Sequence, residues 1–248
     1  YSIHPTYIQA MLNDSRYNEE DILSVIEHLR IEGGHSFDSN ILDTARHFYR
    51  GEPKGSWNPE SVMKDKEVLI LGSGPGVECH QSAIESYIIR KKPLVMALNT
   101  QCSIRADLID VRVACHPVRL LSDCKAHTRL PQPLITPISM LPDEVKESLK
   151  NKNTLDFGLK IESGAFEFGK HFCSIPTSLV IAYAFAISTC GGATRLLMAG
   201  FDGYGADDPR SIEMQNLLSV YQSDPKALPL VAVTPNKYSL PTYSIYAL

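Results

Sequence analysis

The sequence predicts an α/β fold, doubly wound around a largely parallel, Rossmann-like sheet, with an N-terminal helical extension. Three observations carry that expectation. "EVLILG" (67–72) is a continuous apolar run, as a strand buried on both faces requires. A glycine-rich turn and a helical pattern follow it directly, and strand and helix patterns then alternate to the end of the chain. Before residue 66 the periodicity is helical only.

In the extension, Asn18 precedes Glu19, Glu20 and Asp21, a capping residue followed by acidic groups that suit a helix N-terminus. Ile22, Val25, Ile26 and Leu29 share one helical face, and Gly33-Gly34 ends it. Ile41, Leu42, Ala45, Phe48 and Tyr49 repeat the pattern up to Gly51. "GEPKGSWNP" (51–59) reads as a linker dense in Gly and Pro. The domains expected are therefore a helical extension, 1–55, and a Rossmann-like domain, 66–248. In the latter a helix is expected over 77–90, with strands at 93–99, 111–116, 133–139, 195–202 and 230–235. A long helix over 177–189 should end at Gly191-Gly192.

The bulk numbers exclude several classes. A formal charge of −4 among 248 residues gives no support for a nucleic-acid or membrane-surface binder. The six cysteines form no Cys-x-x-Cys pair, which argues against a zinc knuckle and a disulfide framework and for small core residues in a reducing cytoplasm. "SLVIAYAFAIS" is too short to span a bilayer. The chain starts at Tyr1 without a methionine and reads as a piece of a longer polypeptide.

The chemistry-bearing stretch is "VLILGSGPGVECHQSAI" (68–84). Gly72, Gly74 and Gly76 give G-x-G-x-G, one residue short of the dinucleotide fingerprint, and the second strand ends in Asn99 rather than an acidic residue. Both features count against NAD. Pro75 suits a first helical turn, so the loop can set a nucleotide phosphate against a helix start. A tight turn needing glycine for steric reasons alone stays open beside it. A second constellation, "DLIDVRVACHPVRLLSDC" (107–124), gathers Asp110, Arg112, His116 and Arg119 at a strand and its exit. Arg forks suit phosphates and carboxylates; an internal salt-bridge network is the alternative. No second histidine stands at metal-ligand spacing, so no metal site is expected.

Three separated segments together resemble the bacterial sialyltransferases that make α2,3 and α2,8 linkages: "LILGSGPGV", "ALNTQ" (97–101) and "SIPTSLVIAYAFAISTCGGATRLLMAGFDGY" (174–204), with "VAVTPNKYSL" as the last strand and turn. Flagellin-modifying motility accessory factors and an archaeal pterin pyrophosphokinase share that fold. The resemblance covers about residues 66 to 248 and implies a nucleotide-sugar pocket, with CMP as the natural ligand. Gly72, Ser73, Gly74, Pro75 and Gly76 would face the phosphate, and Asn99 and Gln101 the sugar or base. Asp110, Arg112 and Arg119 join them as phosphate candidates. Asp202 and Tyr204 would stand at the mouth. The family's histidine general base has no counterpart in "GADDPRSIEMQ". The catalytic candidates are therefore Asp202, His116 and Asp207, the last with Asp208 as its alternate.

"SIHPTYIQAML" and "YNEEDILSVIEHL" resemble the region after the barrel in aldolases of the hydroxymethylglutaryl-CoA lyase type, close to 4-hydroxy-2-oxovalerate aldolase. That match covers about residues 1 to 50. It implies an upstream barrel holding a divalent metal, with no cofactor in this chain. Lysines in polar stretches such as "KESLKNKN" (146–153) speak against a Schiff base here.

The resulting expectation is the C-terminal module of an aldolase-type enzyme of bacterial surface-carbohydrate, or lipopolysaccharide, synthesis. It would bind a nucleotide or phosphorylated sugar acid in the cytoplasm. Two alternatives stand beside it: an active glycosyltransferase or pyrophosphoryl-transfer domain, and a non-catalytic regulatory or assembly module. Whether this piece is itself an enzyme is left open, as is a second copy of the chain as partner.

Overall fold

The computed structural model describes residues 49, 51–116, 119–120, 123–141, 143–162, 164–177, 179–203 and 209–248. Apart from Tyr49, the expected N-terminal helices lie outside the described residues.

Seven strands form the central sheet: β1 (Glu67–Leu71), β2 (Leu94–Leu98), β3 (Val111–Val113), β4 (Leu134–Thr136), β5 (Thr154–Asp156), β9 (Arg195–Ala199) and β10 (Leu230–Ala232). Their order is β10-β9-β1-β2-β3-β4-β5, and every neighbouring pair is parallel. The chain winds outward from β1 to β5, returns to the other side of β1 as β9, and ends at β10. The strand order therefore reverses between β1 and β9, where ligands of open α/β sheets bind beyond the carboxyl ends. The doubly wound expectation holds.

β1 and β2 are apolar without alternation because both faces are covered. On one face lies α3 (Gln81–Lys91), whose Ile84, Tyr87 and Ile88 pack on Leu69, Leu71, Val95 and Ala97. On the other lies α6 (Val180–Cys190), with every residue from Ile181 to Ser188 buried. A helix apolar all round needs cover on both sides. α6 has it, packing between β2 and β3 on one side and a second sheet on the other.

That second, three-stranded sheet was not expected. β6 (Gly158–Ile161) and β8 (Phe172–Ile175) pair in parallel, and β7 (Glu167–Phe168) joins β8 antiparallel. The end of the edge strand β5 captures the stretch read as a linker. Ser56 and Trp57 donate their amides to the Asp156 carbonyl at 3.0 and 2.9 Å. His171 Nδ1 lies 3.1 Å from the Trp57 carbonyl, and Trp57 meets Phe157 edge-on. A Cβ on Gly55 would stand 2.9 Å from the Asp156 carbonyl, so only glycine lets the chain run this close. Further upstream, buried Tyr49 donates its hydroxyl to the Cys115 carbonyl at 2.7 Å.

After the short α1 (Glu60–Met63), the helix expected over 77–90 is two pieces, α2 (Gly76–Cys79) and α3, joined at His80, whose φ of −113° leaves the helical region. α4 (Cys124–Arg129) and α5 (Asp143–Ser148) connect the outer strands, and α7 (Pro209–Ser223) connects β9 to β10. No helix among the described residues is long and apolar enough to cross a membrane.

Candidate functional site

The crevice at the strand-order reversal is built from two loops, residues 72–76 after β1 and 200–203 after β9. Gly72 donates its amide to the Ala199 carbonyl at 2.8 Å and Gly74 to the Gly200 carbonyl at 2.9 Å. Asp202 Oδ2 accepts the Gly76 amide at 3.1 Å. A Cβ on Gly72 would lie 2.7 Å from the Gly200 carbonyl oxygen, and one on Gly76 2.6 Å from Asp202 Oδ1. At Gly74 it would run into Asp202 Oδ2 itself. The three glycines are thus required by the approach of the second loop. Gly200, at φ +77°, completes the approach and is held from behind, its amide donating to Thr234 Oγ1 at 3.0 Å.

Phosphate binding expected of Gly72, Gly74 and Gly76 meets this arrangement directly: their amides are spent inside the protein. Pro75 has no amide to offer. Asp202 fills the place at the start of α2 where a phosphate was expected, and a carboxylate there repels a second anion while satisfying the helix start. What the loop leaves toward the crevice is the exposed Ser73, with its hydroxyl; both oxygens of the half-buried Asp202 lie against Gly74 and Gly76.

β2 supplies the opposite lip. Asn99 takes a left-handed conformation, φ +51°, one that asparagine tolerates better than most residues. Its backbone is engaged: the amide donates to the Val113 carbonyl and its carbonyl accepts from Arg112. Its half-buried side-chain amide makes no hydrogen bond among the described residues and is free for a ligand. Gln101 instead serves the scaffold, Nε2 donating to the Gly72 carbonyl at 2.5 Å and Oε1 accepting the Ser103 amide.

The second constellation disperses. Asp110 stands at the amino end of β3, away from the crevice, where Oδ2 accepts the Val95 amide at 2.7 Å. Arg119 is exposed, Nε 3.7 Å from Asp123 Oδ2. His116 follows β3 at the carboxyl end, its Nδ1 3.5 Å from the Arg119 amide. Arg112 is 1% exposed and does not reach into the crevice. Nε donates to Gln132 Oε1 at 2.8 Å, and Nη1 to the carbonyls of Gln101 at 2.6 Å and Asn99 at 3.3 Å. It holds the lip from which Asn99 projects and through which Gln101 grips Gly72. Its role is positioning. Tyr204 and Asp207 lie outside the described residues.

Around Arg112 the structure gathers polar residues that the sequence reading passed over. His127 and Lys152 are buried with Gln132, and Lys152 Nζ donates to the Leu130 carbonyl. Among the described residues, neither ring nitrogen of His127 has a hydrogen-bond partner. Burial, then the charges of Lys152, Arg112 and Arg119, push the His127 ring down to about 4. Burial and the Arg112 charge push Lys152 down to about 8. Lys152 belongs to "KESLKNKN", so that stretch is not uniformly solvated: a polar composition hid one buried amine. Among the described residues no cluster of three His, Cys, Asp or Glu side chains could hold a metal ion.

No family model and no curated protein matches the chain. Among solved structures it is similar to the motility accessory factor (MAf) glycosyltransferase from Magnetospirillum magneticum AMB-1, with a TM-score of 0.56 at 11% identity. The match covers 100% of this chain and 48% of that one, so the chain spans about half the length of its neighbour. At that identity the likeness establishes a shared fold, one the sequence resemblance had anticipated.

Proposed function

We propose that the chain binds a nucleotide-activated sugar in the crevice between the β1 and β9 exits and serves glycosyl transfer in surface-carbohydrate synthesis. The observation that carries this reading is the combination of a strand-order reversal with the exposed Ser73, the Asn99 side-chain amide without a hydrogen bond among the described residues, and the Asp202 carboxylate at the loop that closes it. Asp202 accepts hydroxyls there, because its charge disfavours a phosphate beside it. The ribose or sugar hydroxyls of the ligand donate to Asp202, the Asn99 amide reads the base or sugar, and Ser73 donates to a phosphate oxygen. The name of the structural neighbour supports the transferase reading over the aldolase one. Membership of an aldolase rests on the resemblance of residues 1 to 50 alone.

Calorimetry with CMP, CDP, UDP and NAD tests it. A pyrimidine nucleotide should bind more tightly than NAD, and Asn99→Ala and Asp202→Ala should each weaken it about tenfold or more, the loss of roughly one charged or neutral hydrogen bond. Tighter binding of NAD, or indifference to both substitutions, would sink the assignment.

A further inference from the structure

Three basic side chains meet on one face of the outer sheet with no acid to balance them. Arg112 on β3 pairs in register with Leu134 on β4, and Leu134 with Thr154 on β5, so these positions share a face. Gln132 and Lys152, each two residues earlier, return to that face by the alternation of an extended chain. Their bonds agree: Gln132 accepts from Arg112, and Lys152 Nζ reaches the Leu130 carbonyl at the end of α4. His127, buried on α4, lies close enough for the charges of Lys152 and Arg112 to act on it.

The polar groups gathered there do not balance. In either tautomer one ring nitrogen of His127 carries a hydrogen, and it finds no acceptor among the described residues. An ammonium has three hydrogens, and Lys152 Nζ places one of them, on the Leu130 carbonyl. Among the described residues no Asp or Glu side chain bonds or ion-pairs with Arg112, His127 or Lys152. Asp123, at the start of α4, is turned to Arg119. The seam therefore holds a surplus of donors and of positive charge, and buried cations without a counter-charge are costly. What is missing is an acceptor that carries negative charge.

We propose that the seam binds a small oxyanion of the phosphate or sulfate class, seated against Lys152 and His127 and backed by the charge of Arg112. An oxyanion supplies several acceptors and the counter-charge together. Water suits the seam less well, because each molecule brings two more hydrogens to a place short of acceptors and no charge. Access is at Lys152, which is 8% exposed, whereas Arg112 and His127 are closed off. Arg112 also holds the carbonyls of Asn99 and Gln101, so an occupied seam ties β3, α4 and β5 to the lip of the crevice. The site stands apart from the nucleotide reading of the crevice and does not depend on it.

The test follows the His127 ring resonances by NMR in the whole chain, with inorganic phosphate, sulfate or CMP added at constant ionic strength. Phosphate and sulfate should each shift the ring saturably. Sulfate should also lift the titration of the ring from about 4 to above ~5, because a nearby anion favours the protonated form. At ten times its dissociation constant, the ion should raise the melting temperature by about 4 °C beyond chloride. That gain should vanish in Lys152→Met and shrink in His127→Phe, whereas general salting effects persist in both. The ring titration needs no variant, so a fold lost in Lys152→Met leaves the inference testable. CMP affinity by calorimetry should be the same in His127→Phe as in the parent. The inference is overturned if no oxyanion moves the ring, or if the parent and both variants are stabilised equally. It is also overturned if CMP moves the ring where free phosphate does not, which would place the seam within the nucleotide site. A parent chain that binds no CMP defeats the proposed function and leaves the oxyanion result unchanged.

Discussion

The crevice and the buried seam around Arg112 hold similar residue types and put them to opposite use. In the crevice, small and polar residues spend their backbone amides internally and leave the side chains of Ser73 and Asn99 without a hydrogen bond among the described residues. In the seam, Arg112, His127 and Lys152 withdraw their charged or chargeable groups into the protein, two of them onto carbonyls. Charge alone therefore does not mark a ligand site. What marks it is which hydrogen-bonding capacity the fold leaves unspent.

The largest expected effect comes from breaking the seam. Arg112→Met leaves two carbonyls and the Gln132 oxygen without their donor, at about 1–3 kcal/mol each, and should lower unfolding stability in urea by about 4 kcal/mol. It should also weaken nucleotide binding by loosening the Asn99 lip. A variant as stable as its parent would show that the guanidinium is dispensable.

Next comes the proton linkage of His127. Its folded value near 4 lies below the free value of 6.5, so above pH 6.5 the ring is neutral in both states and contributes nothing. Below that, the unfolded chain binds a proton that the native one refuses. Stability should fall between pH 6.5 and 4 by up to about 3 kcal/mol. His127→Phe should flatten this part of the pH–stability curve; a slope identical to the parent's would reassign it to other groups.

The crevice yields smaller numbers. Gly74→Ala drives a methyl into Asp202 and the Gly200 carbonyl, and overpacking of this kind costs about 2 kcal/mol; a crystal structure of the variant should show the β9 exit loop displaced. Asp202→Asn keeps an acceptor for the Gly76 amide and loses only the charge at the helix start. Thermal melts should register about 0.5 kcal/mol, with nucleotide affinity changing more than stability.

The sheet was legible because β1, β2, β9 and β10 are apolar runs of the sort that only two-sided cover demands, and because α6 is uniformly apolar. The second sheet was hidden. Its strands, "GLKI", "EF" and "FCSI", are two to four residues long and partly solvated, too short to show any period. The break at His80 was equally silent, since nothing in "VECHQSAI" forbids a continuous helix. In the candidate site, glycine spacing located the loop of Ser73 and the segment resemblance pointed to Asn99 and Asp202, whereas the burial of Arg112 was not legible because an arginine's type says nothing of it. The burial of Lys152 and His127 was missed for the same reason: both stand in polar stretches of sequence, and what covers them comes from elements distant in sequence.

Gly55 carries a practical lesson about where this domain can be cut. Composition suggests trimming at Lys66, just before the first strand, since Gly and Pro crowd the stretch ahead of it. The packing says otherwise: that stretch meets Phe157 and bonds its backbone to the end of β5 at the edge of the central sheet, and Tyr49 plugs the interior above Cys115. A shortened version beginning at Lys66 would expose those surfaces and tend to aggregate, whereas one that retains Tyr49 keeps the edge sealed. The useful boundary for engineering lies at least seventeen residues ahead of the Rossmann strand, counting from Lys66 back to Tyr49.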